Sequence, residues 1–303
     1  MEGIELSLTN KFKNTESFIQ GCENGFELQL DRVVETILSL GPIKIITLTG
    51  PTCSGKTTAA NMIIKRLCRA GKQTHLVSID DFFFDRERLL KMSKDKGLEI
   101  PDYDSIDTID FEALKQFVAE ILNGREAHCP LFDFKLGIRS GYKLVQAGKD
   151  DVFLFEGIQT IYPEISDILM KENAVSIYIS PESKIKVADT VFDPCEIRFM
   201  RRIVRDYNRR GMMPEATFEI WESVRTNEDK NIFPYAKNCM YHIDSTMAYE
   251  IGVLAPHLKN ILSKITSNSK YYKKANEILE KISHVTSISD KYISEDSLYK
   301  EFI

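Results

Sequence analysis

The feature that most constrains the fold is a glycine-rich motif that directly follows a short apolar run. Gly50-Pro-Thr-Cys-Ser-Gly-Lys-Thr57 has the pattern G-x-x-x-x-G-K-T and comes after a run rich in β-branched residues at 43–49. A continuous apolar run of this kind is typical of a strand buried on both faces of a parallel sheet. A helical pattern then covers residues 56–70, and Gly71 ends it. The sequence therefore predicts a strand–loop–helix unit, the setting in which this motif holds phosphates.

The motif predicts a site for a nucleoside triphosphate. Glycines let the backbone wrap closely, so that successive N–H groups and the positive end of a helix face the phosphates. We expect Lys56 to reach the β- and γ-phosphates and the Thr57 hydroxyl to bind Mg²⁺. The expected cofactors are ATP or GTP with Mg²⁺, and the Asn-Lys-x-Asp element of guanine-reading switches is absent from the sequence. The expected nucleotide-binding residues are Gly50, Pro51, Thr52, Cys53, Ser54, Gly55, Lys56, Thr57 and Thr58.

Later segments repeat the alternation of strands and helices. Apolar runs predict strands at 74–79, 152–155, 174–179 and 239–243, and Asp110 is placed to cap a helix that begins at the next residue. Such alternation indicates an α/β fold, a doubly wound and mainly parallel five-stranded sheet with helices on both faces. We expect an N-terminal extension with a helix near 28–40 in residues 1–41, a phosphate-loop domain at 42–265, and a helical or partly disordered tail at 266–303.

Charge and composition exclude several classes of protein. The net charge of −5 argues against a nucleic-acid coat, although it allows a local basic patch. Six scattered cysteines without metal-like spacing indicate reduced thiols, which favours a cytoplasmic protein. The acidic start lacks the apolar core of a secretory signal, and no run of about 18 apolar residues predicts a membrane span.

Carboxylates follow two of the predicted strands. In an open parallel sheet, ligands bind at the carboxyl ends of the strands. Asp80 follows the second strand and is our candidate general base for an attacking hydroxyl. Asp81 is expected to point the other way, since adjacent residues of an extended chain face opposite sides. Glu156 ends the third strand, where a carboxylate could hold Mg²⁺. The alternative for each acid is a helix cap or a solvated side chain.

A helix predicted at 196–210 carries a row of arginines. Arg198, Arg201, Arg202, Arg205 and Arg209 share one face, opposite an apolar stripe. In a kinase such a helix serves as a lid whose guanidinium groups stabilise the transferred phosphoryl group. Arg201 and Arg205 are our candidates for that contact. The alternatives are a solvated basic face or an RNA-docking patch.

Together these segments resemble the uridine kinase/phosphoribulokinase family of P-loop kinases, over residues 43–262. Val77-Ser-Ile-Asp-Asp-Phe-Phe83 is similar to the family stretch Ser-x-Asp-x-Phe-Tyr, which implies Asp80 as the catalytic base. Residues 102–110 are similar to a segment whose acid binds the ribose hydroxyls, which implies Asp104. Residues 130–139, 155–158 and 198–211 are similar to three further family stretches, the last being the lid.

The resemblance implies an acceptor pocket but departs from the family there. Its implied substrate residues are Phe83, Asp104, Phe132, Arg139 and Arg198. Phe132 and Gly137 stand where uridine kinases have a Tyr and a His, and Phe83 also replaces a Tyr. A pocket that reads a base through polar contacts loses discrimination without them. Phe132 and Phe134 fit the hydrophobic core equally well.

The expected function is Mg²⁺-dependent transfer of the γ-phosphate of ATP or GTP to the 5′-hydroxyl of uridine or cytidine. One alternative keeps the chemistry but takes another nucleoside, a phosphosugar or a pantothenate-like alcohol. Another is a nucleotide-binding regulator or RNA-associated ATPase that docks through the arginine face. We expect a small-molecule partner, no nucleic acid and no membrane, and the family resemblance is compatible with a homo-oligomer.

Overall fold

The computed structural model describes residues 5–8, 14–95, 103–171 and 173–303, so Asp102 and most of residues 1–13 lie outside the described part. The strands are β1 (Glu5–Leu8), β2 (Ile45–Thr49), β3 (Thr74–Ser78), β4 (Glu126–Asp133), β5 (Ile138–Gln146), β6 (Val152–Glu156), β7 (Ala174–Ser180), β8 (Lys184–Val187), β9 (Thr190–Phe192) and β10 (Tyr241–Asp244). The helices are α1 (Thr15–Ser39), α2 (Lys56–Arg69), α3 (Arg86–Asp95), α4 (Phe111–Leu122), α5 (Pro163–Leu169), α6 (Pro194–Arg210), α7 (Pro214–Asn231), α8 (Phe233–Ala236), α9 (Glu250–Leu262) and α10 (Tyr272–Lys281).

The central sheet confirms the predicted α/β fold. Five strands lie in the order β10-β7-β2-β6-β3, and every neighbouring pair is parallel. Side chains alternate between the two faces, as a pleated strand requires. Ile46 and Leu154 pack with α1, α2, α6 and α9 on one face, whereas Ile45 and Phe153 pack with α4 and α5 on the other. Both faces are therefore covered by helices.

Strand order places the candidate site at one edge of the sheet. β2 lies between β6 and β7, so the loop after β2 opens where β6 and β3 also end. In the register of β3 and β6, Ser78 lies beside Glu156. The phosphate loop, Glu156 and the turn that carries Asp80 therefore meet at the carboxyl ends of three parallel strands, as the general rule for such sheets requires.

Two smaller sheets were not predicted. β4 and β5 form an antiparallel hairpin, whose turn is closed where Asp133 Oδ1 accepts from the N–H groups of Lys135 and Leu136 at 2.8 and 3.0 Å. β8 and β9 form a second hairpin, and β1 pairs with β8 in parallel. The first hairpin packs beside the turn after β3 and becomes part of the candidate acceptor site.

The helix before the phosphate loop is longer than predicted. It starts at Thr15, because Asn14 Oδ1 accepts from Ser17 N–H at 3.1 Å and caps it. In the tail at 266–303, Leu298 and Phe302 are fully buried in the main core together with Leu30 of α1. One core therefore spans all three predicted segments. All six cysteines are free thiols.

Candidate active site

Glycine is required at two positions of the phosphate loop. A Cβ on Gly50 would lie 2.0 Å from the carbonyl oxygen of Ile179, so no larger residue fits where the loop leaves β2. Gly55 has a φ of +90°, a left-handed conformation that glycine adopts at no steric cost, and it starts α2 without a side-chain cap. The first turn of α2 therefore presents N–H groups without intrahelical partners. Such a helix start is a ready anion site, so the loop fits the phosphates of a nucleotide.

Lys56 lies within this loop. Its Nζ donates to the carbonyl oxygens of Gly50 and Pro51 at 2.9 and 3.0 Å. Burial lowers the pKa of Lys56, and the negative charge of Glu156 opposes that shift. The next residue, Thr57, is exposed at the start of α2 and lines the cleft along the loop. Both residues thus stand beside the open end of the loop.

A cleft of about 700 Å³ runs along the loop. Asp80 and Glu156 lie on its wall together with the first turn of α2. The other wall is formed by the end of α6 and by residues 295–301. The residues that line this cleft include Thr52, Cys53, Lys56, Thr57, Thr58, Asp80, Glu156, Arg205, Arg209, Arg210, Glu295, Lys300 and Glu301.

Asp80 and Glu156 form an electrostatically coupled pair. Burial raises the pKa of Asp80 to about 7, and the charge of Glu156 adds to this while Lys56 opposes it. Burial likewise raises the pKa of Glu156, against the opposing charge of Lys56. Ser78 Oγ donates to Glu156 Oε1 at 3.4 Å and orients that carboxylate. An acid that titrates near neutrality beside a phosphate loop is suited to proton transfer.

The same carboxylates are relevant to metal binding. Within the described ranges, no group of three or more His, Cys, Asp or Glu side chains could hold a metal ion. Mg²⁺ in nucleotide enzymes is usually bound by one or two carboxylates together with substrate phosphates and water. The donor set of Thr57 and Glu156 therefore fits an ion that arrives with the nucleotide.

Asp81 does not line the cleft, in agreement with the prediction that it points away from Asp80. The prediction assumed an extended chain, whereas the backbone here forms a turn. The predicted strand 74–79 ends at Ser78, and a 3₁₀ turn (Ile79–Phe82) follows. Asp81 Oδ1 accepts from the N–H of Phe132 at 3.1 Å. This acid therefore anchors the β4–β5 hairpin to the turn that carries Asp80.

An aromatic cluster fills the region expected to receive the acceptor. The Phe83 ring lies 5.7 Å from both Tyr103 and Phe132, measured between ring centroids, and 6.5 Å from Phe134. Phe83 and Phe132 are buried, whereas Phe134 is 56% exposed. Phe83 and Phe132 thus serve the core and leave Phe134 as the exposed aromatic face.

The other implied acceptor residues lie around this cluster. The charge of Asp104 contributes to the raised pKa of Asp80, after burial and the charge of Glu156. Arg139 donates to Asp110 Oδ2 at 3.2 Å, and its buried Nε has no hydrogen-bond partner among the residues that the structure describes. At Gly137 a Cβ would lie 2.7 Å from Nε of Arg86. The Arg86 side chain therefore occupies the space beside Gly137, the position at which uridine kinases carry a His.

The arginine helix α6 is not the open lid that we expected. A capping box of Asp193 and Glu196 starts it as a regular helix, but both of its faces are buried. Arg198, expected at the substrate, forms a two-pronged ion pair with Glu228 at 2.6 and 2.8 Å. Arg201, expected at the transferred phosphoryl group, pairs with Glu250 at 2.6 and 3.0 Å. Both expectations are corrected, because buried acids engage these guanidinium groups.

Residues of the two ion pairs also bind the backbone of the phosphate loop. Arg198 donates to the carbonyl oxygen of Thr52 at 3.2 Å, and Glu228 accepts from the N–H of the same residue at 3.3 Å. Arg201 donates to the carbonyl oxygen of Cys53 at 3.2 Å. These arginines are therefore positioning residues for the loop. Of the two arginines proposed for phosphoryl contact, Arg205 lines the cleft.

Some residues of the site were missed by sequence reasoning. Glu228 and Glu250 lie 30 and 49 residues after their arginine partners, and no local pattern marks them. Glu301 lies in the tail that was given no chemical role, yet its side chain reaches Thr58 in the cleft. A single acidic residue in a polar stretch of sequence gives no indication that its side chain lies in the site.

Comparisons with known proteins agree with this architecture. Residues 45–251 match the model of the phosphoribulokinase/uridine kinase family. Uridine-cytidine kinase B from Dictyostelium discoideum is 27% identical over 75% of this chain and 85% of its own length. A uridine kinase from Ureaplasma parvum is 30% identical over 64% of this chain and 84% of its own length. Uridine-cytidine kinase C from Dictyostelium discoideum is 27% identical, and this chain spans only 39% of its length.

Solved structures support the fold. A candidate fructose transport system kinase from Silicibacter sp. TM1040 is 19% identical over 70% of this chain and 98% of its own, with a TM-score of 0.52. The YGR205w protein is 16% identical over 72% of this chain and 89% of its own, also with a TM-score of 0.52.

The fold and the site define a P-loop small-molecule kinase. The parallel sheet, the glycine loop and the carboxylates at the strand ends are its parts. Since the family model covers more than half of the sequence, the chain belongs to the phosphoribulokinase/uridine kinase family. No helix in the described ranges is long and apolar enough to cross a membrane.

Proposed function

We propose that the protein transfers the γ-phosphate of ATP, or of GTP, to the 5′-hydroxyl of uridine or cytidine in a Mg²⁺-dependent reaction. The observation that carries this proposal is the position of Asp80 in the same cleft as Lys56 and Thr57. A nucleotide-binding switch needs a phosphate loop but no acceptor base. The relatives named uridine or uridine-cytidine kinase support the choice of acceptor.

Each residue has a defined part in this reaction. Asp80 takes the proton of the attacking hydroxyl as the new O–P bond forms and the bond from the γ-phosphorus to the β–γ bridging oxygen breaks. Lys56 exchanges its loop carbonyls for phosphate oxygens, and Arg205 neutralises charge on the transferred group from the wall of the cleft. Asp104 holds the ribose diol near Asp80. Mg²⁺, when bound with the nucleotide beside Thr57 and Glu156, neutralises phosphate charge.

The aromatic cluster favours a second candidate with the same chemistry. Phe83, Phe132 and Phe134 form an aromatic cluster, exposed at Phe134, in place of polar groups that could read a pyrimidine. Arg86 beside Gly137 adds a cationic group near this pocket. Both features suit an acceptor that is less dependent on base recognition, such as another nucleoside or a phosphosugar.

Burial of the arginine face weighs against the RNA-associated alternative. Arg198, Arg201 and Arg202 are buried, at 2%, 0% and 8% exposure. Nucleic-acid binding needs surface cations that can reach phosphates. This face of α6 therefore offers no continuous docking patch, which leaves the kinase reaction as the better-supported function.

A panel of acceptors tests the proposal. We expect uridine or cytidine to accelerate ADP formation from ATP and Mg²⁺ above the rate without acceptor, measured by coupled ADP detection. The panel should include purine nucleosides, phosphosugars and pantothenate, because the aromatic pocket suits them as alternatives. If only one of these compounds accelerates ADP formation, that compound is the acceptor in place of uridine or cytidine, and the phosphoryl transfer is unchanged. No acceleration by any member would overturn the kinase assignment.

The pKa of Asp80 gives the reaction a pH dependence. The pKa is raised to about 7, so the group is protonated, and unable to accept a proton, below that pH. We expect kcat/KM for the nucleotide to rise with pH and to level off above about 7. The control is the residual activity of an Asp80→Asn variant, which should lose this limb of the profile. A wild-type profile that stays flat through this range would contradict the role of Asp80.

A further inference from the structure

Residues 295–303, which we call the cover segment, lie against the phosphate loop. Leu298, Tyr299 and Phe302 of this segment are fully buried. The Leu298 side chain packs directly on Gly55, where an added Cβ would lie 2.5 Å from a Leu298 methyl carbon. The phosphate loop is thus enclosed on one side by a segment that follows the family-matched region, which ends at residue 251.

The cover segment is also tied to the arginine helix. Arg209 near the end of α6 donates to the carbonyl oxygens of Lys300 and Ile303 at 2.9 and 2.6 Å. The guanidinium carbon of Arg201 lies 4.7 Å from the centroid of the Phe302 ring. These contacts fix the backbone of the segment beside the cleft, so the position of its side chains is defined.

Glu301 projects from this segment into the cleft. Its Oε2 accepts from the Thr58 hydroxyl at 3.0 Å, in the first turn of α2. The negative charge of Glu301 also acts on Lys56 and Glu156. Burial lowers the pKa of Lys56, and Glu301 opposes this shift after Glu156. Burial raises the pKa of Glu156, and Glu301 adds to that shift. A carboxylate therefore sits among the groups that the motif provides for phosphate.

A carboxylate and a phosphate cannot share this position without repulsion. The first turn of α2 is where the motif places N–H groups and hydroxyls against the nucleotide phosphates. An anion at Thr58 occupies one of those donors and repels the triphosphate in a partly buried, weakly screened setting. Like charges brought together at a binding site oppose association strongly.

We propose that Glu301 is a built-in competitor of the donor nucleotide, whose side chain must turn away from Thr58 before the triphosphate can seat. This inference rests on the nucleotide site of the proposed function. The buried anchors Leu298, Tyr299 and Phe302 stay in place, and only the flexible Glu301 side chain rotates. The segment therefore sets the affinity of the site for nucleotide without entering the chemical step.

The test compares two acids of the same segment. Glu301→Gln keeps the shape and an acceptor for Thr58 but removes the charge. Glu295→Gln is the matched control, because Glu295 lines the same cleft but is 92% exposed and pairs with Lys300 at 2.9 Å. Binding of ATP and of a non-hydrolysable ATP analogue is measured by calorimetry, without acceptor, at low and high salt. Thermal melting verifies that each variant is folded.

We expect Glu301→Gln to bind nucleotide about tenfold more tightly than the wild type. The gain should shrink at high salt, where charges are screened, and Glu295→Gln should bind as the wild type does. Equal or weaker binding by Glu301→Gln, or an equal gain from Glu295→Gln, would overturn the inference. If Glu301→Gln binds nucleotide more tightly but no acceptor is phosphorylated, the proposed function fails while the inference stands. If no form of the protein binds nucleotide, both fail.

Discussion

Replacing Asp80 by Asn is expected to lower kcat by about 10²- to 10⁴-fold, the usual contribution of a positioned general base. An amide cannot accept the hydroxyl proton, yet it nearly preserves the shape of the carboxylate. Nucleotide affinity should be maintained or improved, because the substitution removes a negative charge close to Lys56 and Glu156. Turnover is measured by coupled ADP detection with the best acceptor of the panel, and nucleotide binding by calorimetry.

The neighbouring acid supplies the control. Asp81→Asn changes the same chemical group one residue later, in a side chain that binds the Phe132 N–H and stays out of the cleft. It should alter acceptor KM through the β4–β5 hairpin more than kcat. Unchanged turnover in Asp80→Asn would exclude Asp80 as the base. Equal losses in both variants would indicate that the turn carrying these acids had been disrupted.

The parts of this molecule that sequence reasoning predicted are those with local causes. The apolar run before Gly50 needs burial on both faces, and the glycine, lysine and threonine residues of the phosphate-loop pattern lie within residues 50–57. The central sheet and the positions of Asp80 and Glu156 at its edge follow from that pattern. Each of these features is marked in the sequence by a pattern of residues close together in the chain.

The missed parts depend on contacts between distant residues. A cationic stripe on α6 looks the same whether it faces phosphates or buried acids, and only the folded chain brings Glu228 to Arg198 and Glu250 to Arg201. The cover segment is a similar case, since the single four-residue spacing of Leu298 and Phe302 is too short a pattern to mark them for burial. Their partners are Gly55 and Arg201, more than 100 residues earlier.

The buried arginines change the interpretation of α6. A lid that closes over a nucleotide needs guanidinium groups that are free to move, whereas Arg198 and Arg201 each engage a carboxylate and a loop carbonyl. Their geometry instead keeps the loop backbone in one conformation before the nucleotide arrives. Such preorganisation favours binding, because less ordering is left to occur when the ligand binds. Later in α6, Arg205 lines the cleft while its guanidinium group pairs with Asp206 at 2.7 Å.

Replacing Glu250 by Gln is expected to destabilise the protein by about 3–5 kcal/mol, because the Arg201 charge would be left unpaired at a buried position. Both side chains of this pair are 0% exposed, so water cannot compensate. The measurement is the free energy of unfolding in denaturant. Glu219→Gln, in an exposed ion pair with Lys270, is the control and should have little effect.

A double variant separates stability from positioning. Arg201→Met with Glu250→Leu removes both charges and fills the site with apolar side chains, an exchange that often leaves stability unchanged or improves it. The bond from Arg201 to the Cys53 carbonyl oxygen is lost in this variant as well. We therefore expect the free energy of unfolding to recover, while nucleotide affinity is lower than in the wild type. If affinity recovered together with stability, the ion pair would support the core alone, and the loop would hold its shape without Arg201.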